Sequence, residues 1–479
     1  MIMNKFLQKY NSFNIQVKAA FWFTMCSFFQ KGISFVTVPL FTRLMTVEQY
    51  GTFTLYLSWL QVFTVFSTLY LFNGVTDNAM SKFEDDRERF ISSMQGLTIT
   101  VTTCVMALVF FFWRNIKIIM GLTPVMILLM FIEIYVTPAL AFWSGKQRFE
   151  YRYKRLVSVT VLKSLLNPFL GLLAVYFSSD KALARIISTV VVEVLICGSI
   201  MIMQFSSGKL FYDKQYWKYA VTLAVPLLPH YLAGIILSHG DRIMISKLCG
   251  TGEVALYGVA YNIGMIILLF VAAINSSLTP WIYSKLKLKG IESIQQRSRG
   301  VLFFIFCVAL GLMLVSPEIV LIFGSSKYAN AVNVIPPVAG SVYFIFLYNF
   351  LSFPEFYFEK TSFLMWASII AAGLNVVLNY IFIPVYGFIA AAYTTLACYV
   401  IYSLGHYFVG GKILHLNTGY STIIDRTVAI ILSVSIILIA VSVHFTFEWM
   451  LVRYLIIAIS FMCVFLKRKD IMKLLTEKS

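Results

Sequence analysis

Three groups of residues in this sequence have the types and spacing to do chemistry. The first is a cation inside an apolar run. Gln16 to Gly51 reads as an apolar segment, the polar turn Thr46-Val47-Glu48-Gln49-Tyr50-Gly51 and the start of a second apolar segment, with Lys31 inside the first and Arg43 at its exit. A lysine at membrane depth costs about 2.5–3.5 kcal/mol on insertion scales and rarely faces lipid. Lys31 precedes the outer end of its segment by about 20 Å at 1.5 Å per residue, where snorkelling to the surface is difficult. A cation held there against a cavity attracts a phosphate-bearing group. The second group is Asp241-Arg242. Neighbours on a helix face different directions, so this pair does not neutralise itself. The third is Glu84-Asp85-Asp86-Arg87-Glu88, the best case for an enzyme, because paired aspartates hold the magnesium diphosphate of membrane prenyl and phospho-sugar transferases. Such a site needs carboxylates from a second segment to complete a near-octahedral shell. The other loops on that side supply only the isolated acids Glu150, Asp213, Glu292 and Asp425, so a solvated loop is the favoured reading.

The sequence has no G-x-x-x-x-G-K-[ST], no H-E-x-x-H and no G-x-S-x-G, which leaves ATP hydrolysis, zinc proteolysis and serine hydrolysis without their usual residues. No catalytic, cofactor or metal site is expected. The seven cysteines are scattered singly and form no C-x-x-C, which suggests packing residues rather than a disulfide framework or zinc site. Further polar groups at depth are Glu133, Lys163, Asn167, Glu193, His230, His239, Asn262, Asn349, Glu355, Asn375 and Asn379. Most of the asparagines are expected to cross-link helices. Glu133 and Glu193 are expected to pair structurally with Lys163.

The elements that position these groups are membrane spans. Of 479 residues, 59% are hydrophobic and 12% charged, against about 25% charged in a soluble domain, and the mean hydropathy is +0.83. Runs of about 20 apolar residues give an all-α, polytopic chain with fourteen candidate spans: roughly 16–44, 51–72, 91–113, 121–143, 156–177, 185–205, 220–247, 255–278, 300–324, 334–358, 363–383, 388–409, 427–445 and 449–466. Twelve follow if the last pair does not span. The net charge of +17 concentrates in the loops after even-numbered spans and at both ends. Basic loops stay cytoplasmic, so both termini are expected in the cytoplasm, and the charge is explained by topology and lipid headgroups rather than nucleic acid. Arg185 and Arg453 fall among the outer helix ends in this scheme. The first segment is too long for a secretory signal and no cleavage site follows.

Tyr50-Gly51, Tyr257-Gly258 and Tyr386-Gly387 recur near the starts of even-numbered spans and read as outer turns. Two of them lie six spans apart, which implies a parallel repeat about an axis along the membrane normal. The expected organisation is two six-helix lobes, 1–214 and 215–419, around a central cleft. Residues 420–479 form an additional helix pair and a basic cytoplasmic tail. Pro226 and Pro229 suggest a bent seventh span.

Gln30-Lys31-Gly32, Pro39-Leu40-Phe41-Thr42-Arg43-Leu44 and Glu48-Gln49-Tyr50-Gly51 resemble the first hairpin of the Wzx-type polysaccharide flippases of the multidrug/oligosaccharidyl-lipid/polysaccharide (MOP) exporter superfamily. Asp241-Arg242-Ile243-Met244-Ile245 with Glu253 and Tyr257-Gly258-Val259-Ala260-Tyr261 resembles their seventh and eighth spans. Asn375, Asn379-Tyr380-Ile381-Phe382-Ile383-Pro384, Gly387 and Ala390-Ala391-Ala392 resemble the eleventh and twelfth. The resemblance implies a two-lobe, multi-pass protein of the bacterial cytoplasmic membrane that is not an enzyme. It would move undecaprenyl-diphosphate-linked oligosaccharide from the inner to the outer leaflet by alternating access, for capsule, exopolysaccharide or O-antigen, alongside a polymerase or export machinery. Under it Lys31, Arg43 and Arg242 become substrate contacts and Asp241 the ion-coupling residue. Two alternatives stay open: an ion-coupled drug or metabolite antiporter of the same superfamily, and a polyprenyl-phosphate transferase built on Asp85 and Asp86.

Overall fold

A computed structural model describes residues 14–360 and 362–466, without the side chains of 460, 461 and 463–466. The N-terminal cations Lys5 and Lys9 and the basic tail from Lys467 lie outside the described residues. The chain is all-α, and each expected span falls on a helix. They are α1 (Ile15–Leu44), α2 (Val47–Thr68), α3 (Arg87–Phe111), α4 (Pro124–Phe149), α5 (Tyr153–Phe177), α6 (Lys181–Gly208), α7 (Lys214–Leu248), α8 (Thr251–Lys287), α9 (Ile291–Leu314), α10 (Ile335–Leu351), α11 (Ser362–Tyr386), α12 (Ile389–Thr418), α13 (Arg426–Ser442) and α14 (Met450–Leu466). Among the described residues, 10 helical segments, α3 to α11 and α13, are long and apolar enough to cross a membrane. The protein is a multi-pass membrane protein.

Helix starts are set by local chemistry. Thr46 and Gln49 form a reciprocal capping box at α2, with both bonds at 3.2 Å. The Asp180 carboxylate accepts from the Leu183 amide at 3.0 Å, and Asp213 accepts from the Gln215 and Tyr216 amides at 2.9 Å. Each satisfies amides that a helix start leaves open. The Tyr-Gly pairs do not make the turns expected of them. Tyr50-Gly51 and Tyr257-Gly258 are buried within α2 and α8, and the break before α2 lies at Met45-Thr46. Of the three glycines in these pairs, only Gly387, at φ +72°, turns the chain after a helix. The helix α7 is interrupted, as its prolines suggested. A 3-10 turn at Val225–Leu227 and a π turn at Ile236–Gly240 separate its helical pieces.

The chain divides into two compact units at Ile235/Ile236, inside α7. In the first unit α4 packs on α6, α5 on α6 and α1 on α5. In the second, α10 packs on α12, α11 on α12, and the Asp241–Leu248 piece of α7 on α11. The pairing order is the same six helices later. The buried polar side chains lie mainly on α4, α5 and α6 in the first unit and on α7, α8, α11 and α12 in the second.

Candidate functional site: a polar centre in each unit

In the second unit the centre is Asp241, which is fully buried. Three side chains converge on its carboxylate. Tyr257 donates its hydroxyl to Oδ2, Thr395 donates Oγ1–H to Oδ2 at 2.9 Å, and Asn379 donates Nδ2–H to Oδ1 at 2.7 Å. A second layer holds these donors. Asn375 donates to Thr395 Oγ1 at 3.2 Å, Asn379 donates to Asn375 Oδ1 at 3.2 Å, and Thr394 donates to Asn379 Oδ1. Asn375 and Asn379 are four residues apart, so one face of α11 carries both. Arg242 turns elsewhere. It donates to the Ser238 carbonyl at 2.8 Å, lies 3.3 Å from His239 Nδ1, and places its guanidinium 4.6 Å from the centre of the Tyr261 ring. Asp241 makes no ion pair among the described residues. A buried carboxylate without a fixed counter-charge neutralises itself by taking a proton or a cation.

In the first unit the polar centre holds two cations, Lys163 and Arg185, and two acids, Glu193 and Glu133. Lys163 on α5 pairs with Glu193 on α6 at 2.7 Å, and the Cys197 thiol donates to the same carboxylate at 3.1 Å. Glu133 on α4 instead accepts the Tyr56 hydroxyl at 2.8 Å. The two acids thus have separate partners. Arg185, expected at an outer helix end, is 8% exposed and lies in this centre. Its Nη2 donates to Asn167 Oδ1 at 2.7 Å and its Nη1 to Thr189 Oγ1 at 3.0 Å. Phe41 and Phe53 cover the guanidinium at 4.5 and 5.1 Å. Gly171 makes room for it, since a Cβ there would lie 2.5 Å from Nη1. The sequence scheme missed Arg185 because it stands one turn inside α6, next to the genuine end residue Lys181. The available signal was Asn167 on the preceding span.

The other anticipated residues lie apart from these centres. Lys31 is exposed on α1 and forms no hydrogen bond or ion pair among the described residues. Its neighbour Gln30 lines two polar pockets of the first unit, one with Lys163 and Arg185 and one with Arg148. Arg43 is exposed at the end of α1 and reaches back to the Pro39 carbonyl at 3.4 Å. The acidic loop is tied into the fold: Glu84 pairs with Arg87 at 3.1 Å, Glu88 with Lys146 at 2.7 Å, and Asp86 accepts from Tyr216 at 3.4 Å. No group of three or more acidic, histidine or cysteine side chains able to hold a metal occurs among the described residues.

The polysaccharide biosynthesis protein family profile matches residues 16–286, and the MatE profile matches residues 226–381. A Haemophilus influenzae protein described as an uncharacterized membrane protein is 22% identical over 357 residues, covering 71% of this chain and 84% of that protein. The lipid II flippase MurJ in an inward closed conformation superposes with a TM-score of 0.70 at 17% identity, covering 94% of this chain and 99% of that one. An inward-facing multidrug resistance MATE family transporter of the MOP superfamily superposes at 0.60 and 16% identity, covering 81% and 96%. At these identities the two superpositions establish the fold.

Proposed function

The chain belongs to the polysaccharide biosynthesis protein family of MOP-superfamily transporters, and we propose that it is a flippase for undecaprenyl-diphosphate-linked oligosaccharide in the bacterial cytoplasmic membrane. The observation that carries this reading is the family match through residues 16–286. The supporting chemistry is a pocket in that same stretch with Lys163 and Arg185 on its wall and no carboxylate lining it. Transport is by alternating access, and a ligand biases such a cycle only by its differential affinity for the two states. Asp241 is the ion-coupling residue: a proton or cation bound to it changes the charge of a buried group. Lys31, with Arg43 and Arg242 nearer the outer face, contacts the diphosphate. The product feeds surface polysaccharide synthesis, with a polymerase or export machinery downstream, and both termini are cytoplasmic.

The test is flipping in proteoliposomes loaded with a fluorescent polyprenyl-diphosphate oligosaccharide, read by lectin accessibility from outside. Exposure faster than in empty vesicles is expected. Lys31→Ala is expected to slow it severely and Lys31→Arg to retain more of it. Full flipping by a correctly inserted Lys31→Ala protein would remove Lys31 from the substrate path. No exposure above empty vesicles would overturn the reading. The MatE match over residues 226–381 favours a second reading, an antiporter for small cations, which predicts drug efflux from cells expressing the chain.

A further inference from the structure

We propose that the pocket between α1, α5 and α6 of the first unit is a binding site for a phosphate oxyanion, with Arg185 as its charged contact. The pocket has a volume of about 200 Å³, and Gln30, Ser34, Thr37, Lys163, Asn167 and Arg185 supply its polar wall. No carboxylate lines it. That composition selects an anion over a cation. The size admits a phosphate group.

The hydrogen-bond donors around the pocket are not all used. Glu193 is engaged by Lys163 at 2.7 Å, and Glu133 lies against Tyr56. Arg185 hydrogen-bonds only to the neutral acceptors Asn167 and Thr189, lies against two aromatic faces, and meets Glu133 only at longer range. Its Nε is buried and bonds to nothing. A guanidinium carries five N–H donors, and an ammonium carries three. Lys163 spends one of its three on Glu193, so both cations keep donors for an oxyanion. Arginine suits phosphate because its planar fork matches two oxygens. The second unit gives the counterpart. It holds an uncompensated carboxylate, Asp241, ringed by hydrogen-bond donors. The Asp241 carboxylate suits a cation or proton, and the carboxylate-free wall of the first unit's pocket suits an anion.

The inference rests on the flippase reading for its physiological ligand, a phosphate of the lipid-linked substrate. The site itself is tested by binding alone. The full-length protein, delipidated in detergent, is titrated with radiolabelled pyrophosphate at constant ionic strength. Saturable binding is expected, weakened at least tenfold in Arg185→Gln and unchanged in Arg299→Gln on α9, which does not line the pocket. Gly171→Ala keeps the charge and drives a methyl group against Nη1, so it should weaken binding comparably, and it serves if Arg185→Gln does not fold. In nanodiscs, competition by phosphatidylglycerol over phosphatidylcholine would assign the phosphate to a lipid headgroup. Binding that phosphatidylglycerol does not displace would assign it to a free or substrate phosphate. Absence of saturable binding, or binding altered less than twofold by both variants, would overturn the proposal. Flipping that fails while pyrophosphate still binds counts against the transport reading and leaves this site intact.

Discussion

Lys163 and Glu193 lie 2.7 Å apart among apolar helices, with the Cys197 thiol on the same carboxylate. Removing one member of such a pair strands the other charge, which costs about 3–5 kcal/mol, whereas replacing both by apolar groups of similar size is often neutral. Lys163→Met should therefore lower the thermal midpoint of the detergent-solubilised protein severely, and Lys163→Met with Glu193→Leu should recover most of the loss. A double variant no more stable than the single would mean the pair has no mutual role. Asp241 is a different case. Its donors, Tyr257, Asn379 and Thr395, are neutral, so Asp241→Asn keeps the shape and removes the charge. Flipping driven by an ion gradient should fall to the rate without a gradient, while the protein remains folded. Gradient-driven flipping that survives this change would exclude Asp241 from coupling. His406 and Glu355, 2.7 Å apart and buried in the second unit, are a second pair that nothing in the linear pattern had joined.

At the scale of elements, two contacts set how helices meet. Gly410 on α12 faces the turn after α10, where a Cβ would lie 2.5 Å from the Leu351 carbonyl oxygen. Close approach of this kind depends on small residues. Gly410→Ala must push the backbones apart and should cost about 1–3 kcal/mol by overpacking, read as a lower thermal midpoint. An unchanged midpoint would mean the helices slide apart freely. Asp425 caps α13. The Val428 amide donates to it at 2.9 Å, and Arg299 pairs with it at 2.6 Å. The Val428 amide, and after it Arg299, hold its carboxyl below the usual value of 3.8, against a smaller upward push from burial. A depressed folded value stabilises above the unfolded value, and the benefit is lost as pH falls through the folded one. Asp425→Asn retains a capping oxygen. The stability gap between wild type and this variant should be constant near neutrality and close below about pH 4; a gap independent of pH would exclude the charge as its cause. The helices themselves were legible because twenty apolar residues are a strong signal. Asn375 and Asn379 were legible as a pair because four-residue spacing is one face. Arg185 was not, because its burial is made by Phe41, Phe53 and Gly171 on other helices. Tyr257 was misread as an interfacial turn residue, since no local pattern reveals that its hydroxyl ends on Asp241.

For the whole molecule, a cation site and an anion site in one chain carry a thermodynamic consequence. If an ion at Asp241 and a phosphate at Arg185 both bias one conformational equilibrium, each must change the other's affinity by the same factor. Coupling energies of this kind are typically about 1–3 kcal/mol, or roughly 5–150-fold in affinity. Pyrophosphate affinity measured with and without sodium, and again across pH, identifies which ion matters. The affinity for that ion, measured with and without pyrophosphate, should then shift by an equal factor. Asp241→Asn should abolish the shift while leaving pyrophosphate binding itself, and Arg185→Gln should abolish it by removing the other ligand. The reciprocity separates two kinds of protein. In a coupled transporter the factor differs from one and both variants erase it. In a passive flippase the centres are bound independently, the factor is one, and neither ion gradient nor Asp241→Asn alters the rate of lipid exposure. A factor of one with gradient-driven flipping intact would place the coupling ion at a residue other than Asp241.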